Sequence, residues 1–186
     1  MPSSLGHFGV AYMIHRLKKT LSLPALIVSS IFPDIDTLIY FLTNRSFDIG
    51  RELFHSFVGM GTLGTFISVL LTVLVYPKVV SIFFRVNKEE AEQKCKFSGT
   101  VVVSCLLGGF SHILIDSLCH DYNPLFYPFV RQSIDVLLFT SDWRLSYAIV
   151  EILLLAMLLI TLIVETRKAK IKTIKEFWKH ILIGDS

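Results

Sequence analysis

The sequence predicts an all-α fold: a polytopic membrane helix bundle of about four spans, with a short amino-terminal helix and a carboxyl-terminal amphipathic helix. Its 186 residues are 53% hydrophobic, against about 45–50% in ordinary soluble proteins. Residues 53–77 and 97–115 contain no Asp, Glu, Lys or Arg, and residues 145–164 contain only Glu151. About 20 such residues in a helix can cross a hydrocarbon core of about 30 Å.

The distribution of basic residues predicts how the chain lies across the membrane. Of the 18 Lys and Arg residues, 14 fall in three clusters, at 16–19, 78–96 and 167–179. The positive-inside rule puts these clusters in the cytoplasm, and it puts segments 44–56 and 119–144 outside. Both termini are then expected to be cytoplasmic. The predicted spans are 22–43, 56–77, 98–118 and 145–165.

The two ends of the chain predict helices that do not span. Residues 4–17 form a helix too short to cross the bilayer, which Ser3 or Ser4 could cap. The chain then returns through a turn at 18–24, where Pro24 opens the first span.

After the last span, lysines and apolar residues alternate at helical spacing, which is typical of a helix on the anionic inner leaflet. A partner-binding tail is the alternative. We divide the chain into a membrane-embedded domain, 1–165, and a basic amphipathic cytoplasmic tail, 166–186. The apolar face consists of Ile171, Ile174, Phe177, Trp178, Ile181 and Leu182.

Ionisable side chains inside the predicted spans indicate a functional site, because each costs about 2.5–3.5 kcal/mol or more at mid-membrane. Asp34 and Asp36 lie in the outer half of the first span. His55 opens the second span, and His112 and Asp116 lie near the outer end of the third. One of these alone could be a core histidine or a helix cap. Five residues from three spans at one membrane level predict a metal site.

The spacing of these residues supports that prediction. His112 and Asp116 are four residues apart, so one helical face presents both to the same ion. With His55 and a carboxylate from Asp34 or Asp36, the nitrogen and oxygen donors suit Zn²⁺, with Mn²⁺ or Fe²⁺ as alternatives.

Three further features concern a second ion and the aim of the carboxylates. Asp36, two residues past Asp34, could bridge to a second ion. Pro33 interrupts the helix just before both aspartates and would aim them into a cavity. His7, on the short first helix, could complete a second metal position.

Other polar residues near this level have two interpretations each. Arg51, four residues before His55, could clamp a phosphate oxygen or be a solvated interfacial residue. His120 is expected in a loop, where it contacts substrate or solvent. Glu151 could be a ligand, a partner of a ligand or a capped buried acid.

An aromatic segment follows the third span and predicts a rim for the site. Residues 123–130, NPLFYPFV, are apolar and aromatic. Tyr122 and Tyr127 are expected at the level of the lipid headgroups. Ordinary interfacial anchoring is the alternative to a substrate rim.

These residues fall in motifs that resemble the YdjM-like (DUF457) membrane-bound metal-dependent hydrolases. The motifs are GHFGVAY, FPDID, Arg51 with His55 and Ser56, GGFSHILIDSL and NPLFYPF, in that order over residues 5–129. The family is distantly similar to zinc-dependent phospholipase C and the single-strand zinc nucleases. The resemblance implies two or three divalent metal ions. It also implies ligand roles for His7, Asp34, Asp36, His55, His112 and Asp116.

The expected chemistry is hydrolysis. Divalent ions activate water and stabilise the oxygens of a phosphoryl displacement, and Asp34 or Asp36 could orient or deprotonate that water. A site at the membrane boundary favours a phosphoester in a lipid or lipid-linked substrate, although the same ions could cleave an ester or amide.

Two rival functions use the same ligands without catalysis: a metal-binding regulator and a metal transporter. The nearly apolar inner halves of spans two and three, 66–77 and 97–107, count against conduction. Nucleic acid is not the expected substrate, because the basic clusters lie away from the site.

Overall fold

The structure is a computed structural model that describes residues 4–44, 52–134, 138–168 and 170–184. It is all-helical, and four helical segments are long and apolar enough to cross a membrane: Leu23–Thr43, Phe57–Phe84, Gly99–Ser117 and Trp143–Lys168. The helices in chain order are α1 (Ser4–Leu17), α2 (Leu23–Ile31), α3 (Asp34–Asn44), α4 (Phe57–Phe84), α5 (Lys88–Lys94), α6 (Gly99–Ser117), α7 (Trp143–Lys168) and α8 (Ile174–Ile183).

The predicted fold class and all four predicted spans are confirmed. The largest difference is at the end of α4, which was predicted at residue 77 and lies at Phe84. The uncharged stretch ends at Lys78, but the helix continues because Val80 is buried in the main core. A charged residue indicates where a helix can leave the bilayer. The helix itself can continue beyond that point.

The helix of the first span is interrupted at Pro33, as predicted. Helix α2 ends at Ile31 and α3 begins at Asp34, so that Pro33 lies in the turn between them. The start of α2 also follows the prediction, with Pro24 in its first turn. The Ser22 side chain caps this helix by accepting a hydrogen bond from the Ala25 N–H.

Helix α1 packs alongside α7, and the two run in the same direction. Gly6 lies against Leu154 near the start of α1, and the Arg16 guanidinium lies 2.8 Å from a Glu165 carboxylate oxygen near its end. With 14 residues, α1 is about 21 Å long, too short to span as predicted. Small residues such as Gly6 allow this close approach.

The packing of α1 sets the level of its two ends against α7 and α8. The start of α1 lies beside the first half of α7, whereas Gly184 lies against the His15 ring near the other end of α1. The sidedness of the membrane does not follow from this packing, and the cytoplasmic location of both termini stays a prediction. The basic residues of α1 lie at its last turn, so the positive-inside rule applies to that end of the helix only.

Helix α2 is central and contacts α6 very closely. At Gly108 a side-chain carbon would lie 2.1 Å from Ser29 Oγ and 2.7 Å from the Leu26 carbonyl oxygen. Only glycine permits this approach, because those distances are shorter than any carbon–oxygen contact. The contact fixes the position of α6 along its axis relative to the last turn of α2.

Helix α4 contains two π-helical stretches, Met60–Gly64 and Leu71–Val75, which the sequence did not predict. The Thr65 hydroxyl donates a 2.7 Å hydrogen bond to the Met60 carbonyl, five residues back, in the first of them. Such stretches occur often near functional sites.

The carboxyl-terminal helix α8 packs partly against the bundle. Ile181, Leu182 and Ile183 are buried, and the Tyr76 hydroxyl donates a 2.8 Å hydrogen bond to the Leu182 carbonyl. Ile174 at the other end of α8 is 76% exposed. Part of the expected lipid-facing surface therefore contacts protein. The contact with inner-leaflet lipids and the domain boundary after residue 165 stay predictions.

Candidate metal centre

The site is centred on α6, where His112 and Asp116 face the bundle interior. Both are buried, and His112 Nε2 lies 3.4 Å from Asp116 Oδ2. His112 Nδ1 lies 2.7 Å from the Ser30 carbonyl oxygen, to which it can only donate. A histidine held in this way presents the lone pair of Nε2 to a metal ion, and such anchoring is typical of metal ligands.

Helix α1 brings His7 onto the other side of His112. The two imidazole rings are stacked, with centroids 3.8 Å apart and planes 18° apart. His7 Nε2 lies 3.4 Å from Asp116 Oδ1. The side chain is buried, and neither ring nitrogen has a hydrogen-bond partner within the described chain.

The two aspartates at the start of α3 point to different histidines. Asp34 Oδ1 lies 3.6 Å from His112 Nε2. Asp36 Oδ2 lies 3.5 Å from His55 Nδ1 and also accepts a hydrogen bond from the Phe54 N–H. The break at Pro33 supplies this arrangement, because an uninterrupted α2 would carry the two side chains in other directions.

His55 connects the carboxylates of α3 and α6. Its Nε2 lies 3.5 Å from Asp116 Oδ2, while its Nδ1 faces Asp36. It precedes α4, and its neighbour Ser56 caps that helix by accepting from the Gly59 N–H. A side-chain carbon on Gly59 would lie 1.9 Å from the Leu53 carbonyl oxygen, so this glycine permits the tight turn that holds His55.

Among the described residues, two sets of side chains have the spacing to hold a metal ion. Each contributes three donor atoms that lie within 4.8 Å of one another, and the sets share His112. Asp36 stands outside both sets. The first set is His7, His112 and Asp116, and the second is Asp34, His55 and His112.

The distances between the donor atoms suit ligands of one divalent ion better than they suit direct hydrogen bonds between the side chains. Imidazole-to-carboxylate distances of 3.4–3.6 Å exceed the usual hydrogen bond of about 2.7–3.2 Å. Ligands about 2.0–2.2 Å from one tetrahedral ion are about 3.3–3.6 Å apart. His112 Nε2 and Asp34 Oδ1 have no hydrogen-bond partner among the described residues, a state that costs about 1–3 kcal/mol per buried group.

The structure does not test every predicted site residue. Arg51 lies outside the described residues. His120 lies in the loop after α6, as predicted, with its ring 6.5 Å from that of Trp143, and it belongs to neither donor set. Glu151 is half-buried, with a carboxylate oxygen close to Gly6 of α1, and it also belongs to neither set.

The expected aromatic rim is only partly at the surface. Leu125 is buried and packs with Phe32 and Met60, whereas Phe129 is 81% exposed. Tyr122 is half-buried, and so is Tyr127, which lies under the Arg131 guanidinium at 5.6 Å. The part of the segment around Leu125 therefore packs against the helices, and the part around Phe129 is at the surface and available as a rim.

The sequence did not reveal the Ser30 carbonyl as the anchor of His112. Every residue has a backbone carbonyl, so the sequence does not indicate which one accepts a given hydrogen bond. The signal that could have found it is indirect: small residues at Ser29 and Ser30 in α2 and at Gly108 and Gly109 in α6 indicate that two backbones approach closely.

The YdjM inner membrane protein family matches residues 4–175 of the chain. The chain belongs to the YdjM family. No curated protein and no solved structure matches it. The YdjM match confirms the resemblance and extends it beyond residue 129 to include α7. With its four candidate spans, this YdjM protein is an inner membrane protein whose buried His/Asp groups could hold metal ions.

Proposed function

We propose that this protein is a membrane-bound metal-dependent hydrolase that cleaves a phosphoester in a lipid or lipid-linked substrate. The observation that carries the proposal is the donor group around His112, in which buried imidazole and carboxylate atoms face one another at ligand spacing. Bound divalent ions would activate water and stabilise charge on a phosphoryl oxygen. Zn²⁺ is the first candidate.

The side chains of the group differ in their access to solvent, which suggests a division of roles. The side chains of His112 and Asp116 are 0% and 3% exposed, whereas those of Asp34 and Asp36 are 20% and 14% exposed. The α3 carboxylates thus form the open edge of the group. In this proposal Asp36 orients the attacking water and accepts its proton, while Asp34 and the buried side chains hold the ions.

The surface beside the open edge favours an amphiphilic substrate. Ile35 and Leu38 on α3 are 36% and 54% exposed, and Phe126 and Phe129 after α6 are 47% and 81% exposed. In an inner membrane protein these side chains face lipid or the headgroup region. A substrate that arrives from the bilayer could keep its apolar part there while its phosphoester reaches Asp34.

The two rival functions predict different features. A transporter needs a polar path to the other end of the bundle, yet α2, α4 and residues 99–111 of α6 contain no Asp, Glu, His or Arg, and Lys78 is the one lysine. A regulator with a purely structural ion would be expected to enclose its ligands fully. The exposed α3 carboxylates favour an open site.

Metal content and turnover test the proposal together. Elemental mass spectrometry of detergent-purified protein should find at least one equivalent of metal, and His112→Gln/Asp116→Asn should lose it. The matched control is His180→Gln/Glu165→Gln, which removes a buried histidine–carboxylate pair, 3.6 Å apart, at the other end of the bundle. That control should keep its metal.

Hydrolysis is then measured on phosphatidic acid and on a lipid-linked diphosphate in mixed micelles. The Asp36→Asn variant is expected to keep its metal. Its hydrolysis rate should fall by a factor of about 10²–10⁴, because the substitution removes a proton acceptor. Protein without stoichiometric metal after reconstitution would overturn the proposal. Metal-loaded protein without phosphoester turnover would leave the regulator as the better account.

A further inference from the structure

The two donor sets of the metal centre share one nitrogen atom. His112 belongs to both sets, and its Nδ1 donates its proton to the Ser30 carbonyl oxygen, 2.7 Å away. The ring therefore offers the two sets a single lone pair, on Nε2. The members are His7, His112 and Asp116 in the inner set and Asp34, His55 and His112 in the outer set.

His112 Nε2 lies between a carboxylate of each set. It is 3.4 Å from Asp116 Oδ2 of the inner set and 3.6 Å from Asp34 Oδ1 of the outer set. Both distances suit two ligands of one ion, which are about 3.3–3.6 Å apart. A neutral imidazole nitrogen binds one ion, and a bridging imidazolate would need Nδ1 without its proton. An ion in either set therefore takes His112 away from the other set.

The inner set should bind its ion more tightly than the outer set. The side chains of His7 and Asp116 are 1% and 3% exposed, whereas that of Asp34 is 20% exposed. Water competes less for buried donors, and the attraction between a cation and a carboxylate is stronger where the dielectric constant is low. The two imidazoles of the inner set also face opposite oxygens of one carboxylate, each at 3.4 Å.

We propose that the metal centre has two ion positions that compete for His112, so that an ion in the inner set weakens binding in the outer set. The inference rests on the metal centre of the proposed function but not on the reaction. The outer position then loses a ligand, which should cost at least the roughly 10–100-fold that the loss of a ligand's anchor costs. The inner ion is thus resident, and the ion beside Asp34, at the open edge, is exchangeable.

A Zn²⁺ titration of the metal-free, detergent-purified full chain tests the proposal. Bound zinc is read by elemental mass spectrometry in buffers of graded free Zn²⁺. We expect two steps, with the second ion bound at least about tenfold more weakly than the first, because it lacks His112. Two equal and independent steps would overturn this inference alone, whereas protein without bound zinc would overturn the proposed function as well.

The variant His7→Gln gives the sharpest comparison, because it removes a ligand of the inner set only. His112 is then left to the outer set. The variant should bind one Zn²⁺ at least about tenfold more tightly than the wild type binds its second ion, although it has lost a ligand. An ion bound no more tightly than the second ion of the wild type would refute the competition.

The matched control is His15→Gln, which removes another buried histidine of α1. His15 belongs to neither set, and its Nδ1 lies 2.9 Å from the Leu21 carbonyl oxygen. The control should titrate as the wild type does. If it changed both steps as His7→Gln does, the effect of His7→Gln would be a general disturbance of α1, and the proposal would fail.

Repulsion between two divalent ions would also weaken the second ion, so a further comparison separates repulsion from competition. His112→Gln is added to His7→Gln, which keeps the outer position, and separately to Asp34→Asn, which keeps the inner one. In both backgrounds it should weaken the remaining ion about tenfold or more, because His112 is a ligand in each position. No effect in one background would assign His112 to a single position and overturn the proposal. Circular dichroism and size-exclusion profiles confirm that each variant is folded.

Discussion

The α2–α6 contact should determine how well the protein binds metal, and Gly108→Ala tests this directly. The new methyl group would lie 2.7 Å from the Leu26 carbonyl oxygen, about 0.7 Å closer than a contact of about 3.4 Å allows. Ser29 Oγ, at 2.1 Å, can rotate away, but the Leu26 backbone cannot. The two helices must therefore separate by about 0.7 Å at this point.

That separation acts on the anchor of His112, one helical turn further along α6. The hydrogen bond from His112 Nδ1 to the Ser30 carbonyl would lengthen from 2.7 Å to about 3.4 Å, beyond the usual limit of about 3.2 Å. Loss of such an anchor typically weakens metal affinity about 10–100-fold. Overpacking should also lower the free energy of unfolding by about 1–3 kcal/mol.

The assay is metal retention against a graded chelator, read by elemental mass spectrometry on detergent-purified protein. The control is Gly99→Ala in the first turn of the same helix, where no atom lies within 4 Å of the added carbon. We expect Gly99→Ala to retain metal as the wild type does and Gly108→Ala to release it at lower chelator concentration. Equal retention by both variants would refute the inference that this contact positions His112.

Three further predictions concern the end of the bundle opposite the metal centre. Arg16→Met removes the 2.8 Å partner of the buried Glu165 carboxylate and should cost about 1–3 kcal/mol in a denaturant melt with metal content unchanged. A hydrogen bond from the Lys172 N–H lowers the pKa of Glu176, so its stabilisation of α8 is present above about pH 4.5 and is lost as the pH falls through the lowered pKa. The protection of the α8 amides, taken as their exchange rate relative to the intrinsic rate at the same pH, should therefore fall in acid, and Glu176→Gln should remove this loss of protection. Burial raises the pKa of the Cys95 thiol to about 12, so maleimide should label it at pH 8 only after denaturation.

The four spans and the break at Pro33 could be predicted because they depend on local properties. Long uncharged stretches and a proline act through solvation and backbone geometry, which hardly depend on the rest of the fold. The i,i+4 spacing of His112 and Asp116 is local in the same sense. These parts of the site needed no tertiary information beyond the arrangement of spans.

The remaining parts depend on contacts between distant segments. The direction of α1 follows from its packing along α7, and the pairing of Asp36 with His55 follows from the turn that precedes α4. An apolar helical face does not distinguish a lipid surface from a protein surface, which is why the packing of Leu182 in α8 was not foreseen. The π-helical stretches of α4 likewise have no signal in the local sequence.

The charge balance of the site explains why these groups can exist inside a membrane protein. Asp34, Asp36 and Asp116 carry three negative charges when ionised, and histidine nitrogens lie 3.4–3.6 Å from each of them. Neutral imidazoles cannot balance three carboxylates, of which Asp116 is buried and the other two are half-buried. Protonated imidazoles would repel each other across the 3.8 Å stack of His7 on His112. Bound divalent cations would resolve both problems, because they would neutralise the carboxylates and bind imidazole in its neutral form. The cluster that is costly as a set of side chains is thus favourable as a set of ligands.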